Sequence, residues 1–214
     1  MNDITNLLGK IHNCDCLEFM KQLPDKCVDL VLTDPPYGIG ASGKSFINGT
    51  SKTPKEYYAD ICWDTKPPDF VVFEQIFRIS KNSIIWGGNY FMGLPPCRCF
   101  LVWDKTIHGN SYADCEMAWT SFNKVARIKA LNMVECNMDG RVHPTQKPER
   151  LFKWCLNNNS EEGMIIFDPF MGSGTTAVAC ERLGRKWFGC ELEPKYCEIA
   201  NKRIEAERAQ LKLF

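Results

Sequence analysis

The sequence predicts an α/β fold built on a mainly parallel sheet. Short β-rich apolar runs alternate with amphipathic helical runs, the arrangement that strand–helix–strand units require. Two of the apolar runs end in a Pro-rich or a Gly-rich segment, and open sheets hold ligands at the carboxyl ends of such strands. No repeat at solenoid spacing interrupts the order. The 214 residues suffice for one full hydrophobic core, and residues 1–214 are expected to form one domain.

The elements follow in order. Strand Lys10–Cys14 comes first, and helix Cys16–Gln22 follows it. The apolar run Val28–Thr33 is the second strand. The next helix is Asp69–Ile79, and the third strand is Ser83–Trp86. Pro95–Pro96 marks a turn before strand Cys99–Trp103, which is followed by strand Glu116–Thr120. Helix Pro148–Asn157 leads to strand Met164–Phe167. Helix Thr175–Leu183 and strand Trp187–Cys190 come next. The last helix, Lys195–Gln210, carries Tyr196, Ile199, Ala200, Ile204 and Leu211 on one stripe and mixed charge on the other, as a packed solvent-edge helix does. Gly38–Lys66 and Lys124–Pro148 read as irregular; loops longer than about 12–15 residues in a compact domain are usually functional or mobile.

Hydrophobic residues make up 44% and charged residues 24%, the balance of an ordinary globular domain. Lys plus Arg is 26 and Asp plus Glu is 26. Zero net charge excludes a strongly basic nucleic-acid coat protein and an acidic tail protein, and leaves room for a local basic face. Apolar runs such as Met164–Phe167 fall far short of the roughly 20 residues of a membrane span. The opening MNDITNLLGK lacks an apolar core of signal-peptide length, so a cytoplasmic protein without membrane contact is expected. The twelve cysteines include no C-x-x-C pair and are read as reduced, mostly buried thiols, with no metal site.

Two motifs carry the chemistry. The first is Thr33-Asp34-Pro35-Pro36-Tyr37-Gly38, at the end of strand Val28–Thr33. Two prolines fix the backbone and remove two donors. The Asp34 carboxylate and the Pro35 carbonyl remain as acceptors beside an aromatic ring, an array suited to an amine on a flat π-system. The second is Phe167-Asp168-Pro169-Phe170-Met171-Gly172-Ser173-Gly174-Thr175-Thr176, between a strand and a helix. Gly172 and Gly174 allow close backbone approach to a ligand, and Thr175 is expected to cap the helix. The segment is neither a Walker loop nor a full G-x-G-x-x-G fingerprint. Glu191, with Leu192 beyond it, ends the next strand, where a nucleotide ribose is gripped. Asp168 adds a carboxylate suited to a ligand ammonium. Ribose plus ammonium without a pyrophosphate cradle points to S-adenosyl-L-methionine.

Together the motifs resemble the DNA methyltransferases that act on adenine N6 or cytosine N4. The order, Asp-Pro-Pro-Tyr before the Gly-rich segment, resembles the circularly permuted β class, and the compact layout resembles small phage or prophage adenine methylases. Ile84-Ile85-Trp86-Gly87-Gly88-Asn89, Trp103-Asp104-Lys105 and Glu116-Met117-Ala118-Trp119 resemble further family strands. The resemblance implies a Rossmann-like fold with a seven-stranded, mostly parallel sheet and a β-hairpin at one edge. It implies that S-adenosyl-L-homocysteine is the product and that no metal is needed. The catalytic residues would be Asp34, Pro35, Pro36 and Tyr37, with Tyr37 stacking on a flipped-out base. Cofactor contacts would come from Asp15 and Cys16 near the adenine, Asp34, Lys147 in the segment His143–Pro148, Asp168, Pro169, Phe170, Gly172, Ser173, Gly174, Thr175, Glu191 and Leu192. Asp at the first motif position resembles the adenine enzymes. The cytosine-N4 reading stays open, as do an RNA or protein methyltransferase and a non-catalytic DNA-binding protein.

The partner expected is DNA, double-stranded, met by a monomer or a homodimer. Residues 124–150 hold six basic residues against three acidic ones. Residues 120–147 and 38–66 are the expected DNA-contacting loops, with Lys44, Lys124, Arg127, Lys129 and Arg141 as phosphate contacts.

Overall fold

The computed structural model describes residues 4–39, 64–109, 113–132 and 146–211. The elements are β1 (Ile11–Asn13), α1 (Cys16–Lys21), β2 (Val28–Thr33), α2 (Phe70–Ile79), β3 (Ser80–Trp86), β4 (Phe100–Asp104), β5 (Cys115–Thr120), β6 (Arg127–Ala130), α3 (Glu149–Asn159), β7 (Ile165–Asp168), α4 (Thr175–Arg182), β8 (Lys186–Glu191) and α5 (Pro194–Leu211). They form one sheet in the order β1-β8-β7-β2-β3-β5-β4-β6. Strand β5 runs antiparallel to β3 and β4, and every other pairing is parallel. The α/β Rossmann-like fold expected from the sequence is the fold found.

Alternation along the strands divides the core in two. Leu30, Leu32, Ile84, Trp86 and Ile166 pack with Leu151 and Phe152 of α3, Ala177 and Val178 of α4 and Ile204 of α5. Val31, Ile85, Phe167 and Phe188 pack on the other face with Met20 of α1 and with Val72, Phe73 and Ile76 of α2. Burying each such side chain contributes about 1.5–3 kcal/mol. Asp15 caps α1 by accepting from the Glu18 amide at 3.0 Å.

The sheet has one strand more than expected. Strand β6 pairs parallel with β4 and forms the edge, so the β4–β5 hairpin lies inside the sheet rather than at its margin. Arg-Ile-Lys-Ala is short, charged and largely exposed, with Ile128 at 67% exposure. Edge strands are blunted in this way, and a strand with no buried face carries no apolar alternation. The irregular reading of Lys124–Pro148 is therefore corrected at Arg127–Ala130.

The parallel strands fix the site. From β7 the chain steps outward to β8, and from β2 it steps the opposite way to β3. The order reverses between β7 and β2, and a crevice opens beyond the carboxyl ends of such strands.

Candidate active site

Both motifs leave the sheet at that crevice. Thr33 Oγ1, at the end of β2, donates to Asp168 Oδ1 at 2.7 Å, at the end of β7. The Phe170 amide donates to the same oxygen at 3.0 Å, and the Thr176 hydroxyl donates to Oδ2. Asp168 is 2% exposed, and burial raises its pKa to about 6 against the pull of these donors. Its carboxylate thus ties the two motif loops together. A folded pKa above the unfolded one means that protonation favours folding. Asp168 therefore contributes stability that is complete below about pH 4 and is lost as pH rises through about 6. Asp168→Asn is expected to flatten that part of the melting temperature–pH curve; an unchanged slope between pH 4 and 6 would refute this.

The Asp34–Tyr37 motif is organised by a lysine. Lys147 Nζ donates to Asp34 Oδ1 and to the Tyr37 hydroxyl, both at 2.6 Å, and Tyr37 donates to Asp34 Oδ1 at 2.6 Å. Lys147 also meets Glu116 Oε2 at 3.0 Å, and Glu116 Oε1 meets Lys105 at 2.8 Å. The four charges alternate in sign and cancel. Burial pulls the Lys147 pKa down, but Asp34 and Glu116 outweigh it and hold the ammonium above its ordinary value. Burial pushes Glu116 up, but Lys147 and Lys105 hold it at about 2. Both donors on Asp34 use Oδ1, and the side chain is 25% exposed.

Tyr37 stacks on Tyr90 with centroids 4.9 Å apart and planes 13° apart. Gly87 permits this: a Cβ there would lie 2.1 Å from Tyr37 Cε1. Tyr90 is 41% exposed, so the motif aromatic belongs to a two-ring tier open to solvent.

Across the crevice, Glu191 Oε2 accepts from the Gly172 amide at 2.7 Å and Oε1 from the Glu193 amide at 2.9 Å. Burial raises the Glu191 pKa. Gly172 has φ 53° and only the Phe170 carbonyl at 4.0 Å near a notional Cβ, leaving open ground over the loop. Gly174 differs: its Cβ would sit 2.9 Å from Ala200 Cβ, so this glycine serves helix packing. It also takes the N-cap position with φ 85°, which corrects the cap expected from Thr175; Thr175 is buried in the first turn. Ser173 Oγ donates to Gln146 Oε1 at 3.2 Å and joins the Gly-rich loop to the Lys147 segment. Pro169 and Phe170 continue the loop from Asp168. Asp15 and Cys16 follow β1, whose partner β8 ends at Glu191. Leu192, 64% exposed, stands beside Glu191.

The expected DNA contacts divide. Lys44 and Arg141 lie outside the described residues, as do residues 40–63 and 133–145 of the two loops. Lys124 stands away from the crevice. Its Nζ reaches the Asn158 carbonyl at 3.4 Å, at the end of α3. It precedes β6, which is parallel to β4, so it lies at the sheet margin opposite the crevice. Arg127, paired with Leu101, is at the same end, whereas Lys129, paired with Trp103, is nearer the crevice. Sequence reasoning missed Glu116, Lys105 and Tyr90 as parts of the site. The charged residues Lys105 and Glu116 flanking a hairpin were the available signal.

No group of three or more His, Cys, Asp or Glu that could hold a metal occurs among the described residues. The ten cysteines described are free. No helix described is long and apolar enough to cross a membrane.

A family model described as DNA methylase matches residues 102–202. The chain is 26% identical to the Type II methyltransferase M.HpaI of Haemophilus parainfluenzae, over 90% of this chain and 73% of that one. The solved M1.HpyAVI–SAM complex superimposes with a TM-score of 0.57 at 23% identity, covering 91% of this chain and 98% of the other. PvuII DNA methyltransferase, cytosine-N4-specific, gives 0.58 at 19% identity, over 92% and 89%. The resemblance to DNA amino-methyltransferases read from the motifs is borne out in sequence and in fold. A cytosine-N4 enzyme shares that fold, so the fold by itself does not select the base.

Proposed function

We propose that this protein is an S-adenosyl-L-methionine-dependent DNA methyltransferase that modifies the exocyclic N6 of adenine. The observation that carries the reading is the joining of the Asp34–Tyr37 loop and the Asp168–Thr175 loop through Thr33 and Asp168 at the switch point. An amine acceptor array and a nucleoside-type loop then face one crevice.

The residues fit the cofactor. Open ground over Gly172, the acceptor Glu191 and the exposed Leu192 suit a ribose beside an apolar ring. Glu191 would hold the ribose hydroxyls, and Asp168 would hold the loop in shape. When bound, the cofactor supplies an electrophilic sulfonium methyl. The exocyclic amine of adenine is a poor nucleophile because its lone pair is delocalised into the ring. Asp34 Oδ2 and the Pro35 carbonyl accept its two N–H bonds, favour a pyramidal nitrogen and aim the lone pair for in-line attack. Asp34 need not be a strong base, since the proton becomes acidic only after the methyl is transferred. A duplex base must leave the stack to reach this pocket, and the Tyr37–Tyr90 tier offers it an aromatic surface.

The test is incubation of the protein with methyl-labelled cofactor and duplex DNA, then digestion to nucleosides. Label on N6-methyladenine is expected. Label on N4-methylcytosine would replace adenine by cytosine as the target. Tight cofactor binding with label on no DNA base would sink the reading.

A further inference from the structure

We infer that Glu116, through Lys147, is a positioning residue for the amine acceptor Asp34: it anchors the ammonium that fixes one oxygen of the carboxylate and leaves the other for substrate. The inference rests on the methyltransferase reading and assigns to Lys147 a task other than cofactor contact.

The geometry runs through three separate elements. Asp34 leaves β2, Glu116 is the second residue of β5, and Lys147 precedes α3. Lys147 is 5% exposed, so its charge is stable there only with partners. It has two carboxylates, at 2.6 Å and 3.0 Å. Lys105, beyond β4, meets the far oxygen of Glu116 at 2.8 Å and keeps that carboxylate in place. Lys147 Nζ also lies 5.1 Å from the Tyr37 ring centroid and 5.6 Å from that of Trp86, which confines it further.

The consequence falls on Asp34. Two charged or polar donors, Lys147 and Tyr37, converge on Oδ1 and set the carboxylate plane. Oδ2 receives no hydrogen bond from the described residues and is left as the acceptor for the target amine. Burial raises the Asp34 pKa, and the ammonium 2.6 Å away works against that shift; it favours the ionised acceptor, which forms the stronger hydrogen bond. Among the described residues, the charged and titratable groups that face this cluster are Asp34 and Tyr37 from the loop after β2, Tyr90 beyond β3, Glu116 of β5, Lys105 beyond β4, Lys147, Cys155 of α3, and Asp168 from β7.

Of the two carboxylates that the described residues bring to Lys147, only Asp34 remains without Glu116, and the Lys147 pKa falls. Glu116→Gln is therefore expected to move the Lys147 ammonium titration, followed by NMR, to lower pH. It is expected to lower kcat roughly 10- to 100-fold. The cofactor Kd and the KM for DNA should stay within about threefold, because Glu116 touches neither ligand in this scheme. The alkaline limb of the kcat–pH profile should move down with Lys147. Glu116→Asp, which retains the charge, should recover part of kcat. Should Glu116→Gln not fold, Lys105→Gln tests the same chain from its outer end, with a fall in kcat of about threefold expected. An unmoved Lys147 titration, an unchanged kcat, or a loss of cofactor affinity in place of kcat overturns the relay. Wild-type protein that labels no DNA base overturns the enzymatic reading instead, so the two failures are told apart.

Discussion

Asp34→Ala is expected to stop methyl transfer while cofactor binding survives. The expected fall in kcat is roughly 10³-fold or more, since the substitution removes the acceptor that orients the amine and stabilises its developing charge. The cofactor Kd should stay within about threefold, because the Gly172 and Glu191 side of the crevice is held by its own hydrogen bonds. The variant also strips Lys147 of one of its two carboxylates. A lower melting temperature is expected, moderated because Asp34 is a quarter exposed. Asp34→Asn keeps an oxygen in place and should retain more activity than alanine. Single-turnover transfer and calorimetric titration with the cofactor check this. Cofactor binding lost together with transfer would break the division of labour between the two loops.

Glu191→Ala has the opposite signature. Hydrogen bonds to a charged acceptor contribute about 1.5–3 kcal/mol, so removing the proposed ribose acceptor should raise the cofactor Kd roughly 10- to 100-fold. At saturating cofactor kcat should lie within about threefold of wild type. The amides of Gly172 and Glu193 lose their acceptor, and a melting temperature lower by a few degrees is expected. Titration calorimetry and a cofactor-dependence curve read both quantities. An unchanged Kd would show that Glu191 only staples the loop.

The two variants separate what the crevice does on each side. Asp168 joins the sides, accepting from Thr33 at the end of β2 and from Phe170 and Thr176 on its own loop. A buried carboxylate with three donors is costly to ionise, yet it places the ends of β2 and β7 in fixed register. That spacing determines whether an amine and a methyl can meet in line.

Much of this was legible along the chain. The order of the elements followed from hydrophobic period and turn residues, which act over a few neighbouring positions. Asp34, Pro35 and Glu191 were legible because each ends an apolar strand, and the carboxyl end of a parallel strand is where chemistry collects. Strand β6 was not, because Arg127–Ala130 buries no face and leaves no alternation. The Gly174 role was half legible. A glycine next to a helix start is plain in the sequence, but its contact with Ala200 belongs to the packing of α4 on α5.

The charge relay and the position of Lys124 belong to the tertiary structure alone. Lys147 and Asp34 are 113 positions apart, and Glu116 reaches them only because β5 runs antiparallel beside β3. Composition groups Lys124 with the other basic residues of its segment, and only the direction of β6 places it at the far margin of the sheet. The sequence by itself determined the fold class, the two motifs and the class of chemistry, because backbone period and turn residues are local properties. Strand order, direction and register decided which charges meet, because electrostatic contact depends on distance in space and falls steeply beyond a few ångströms.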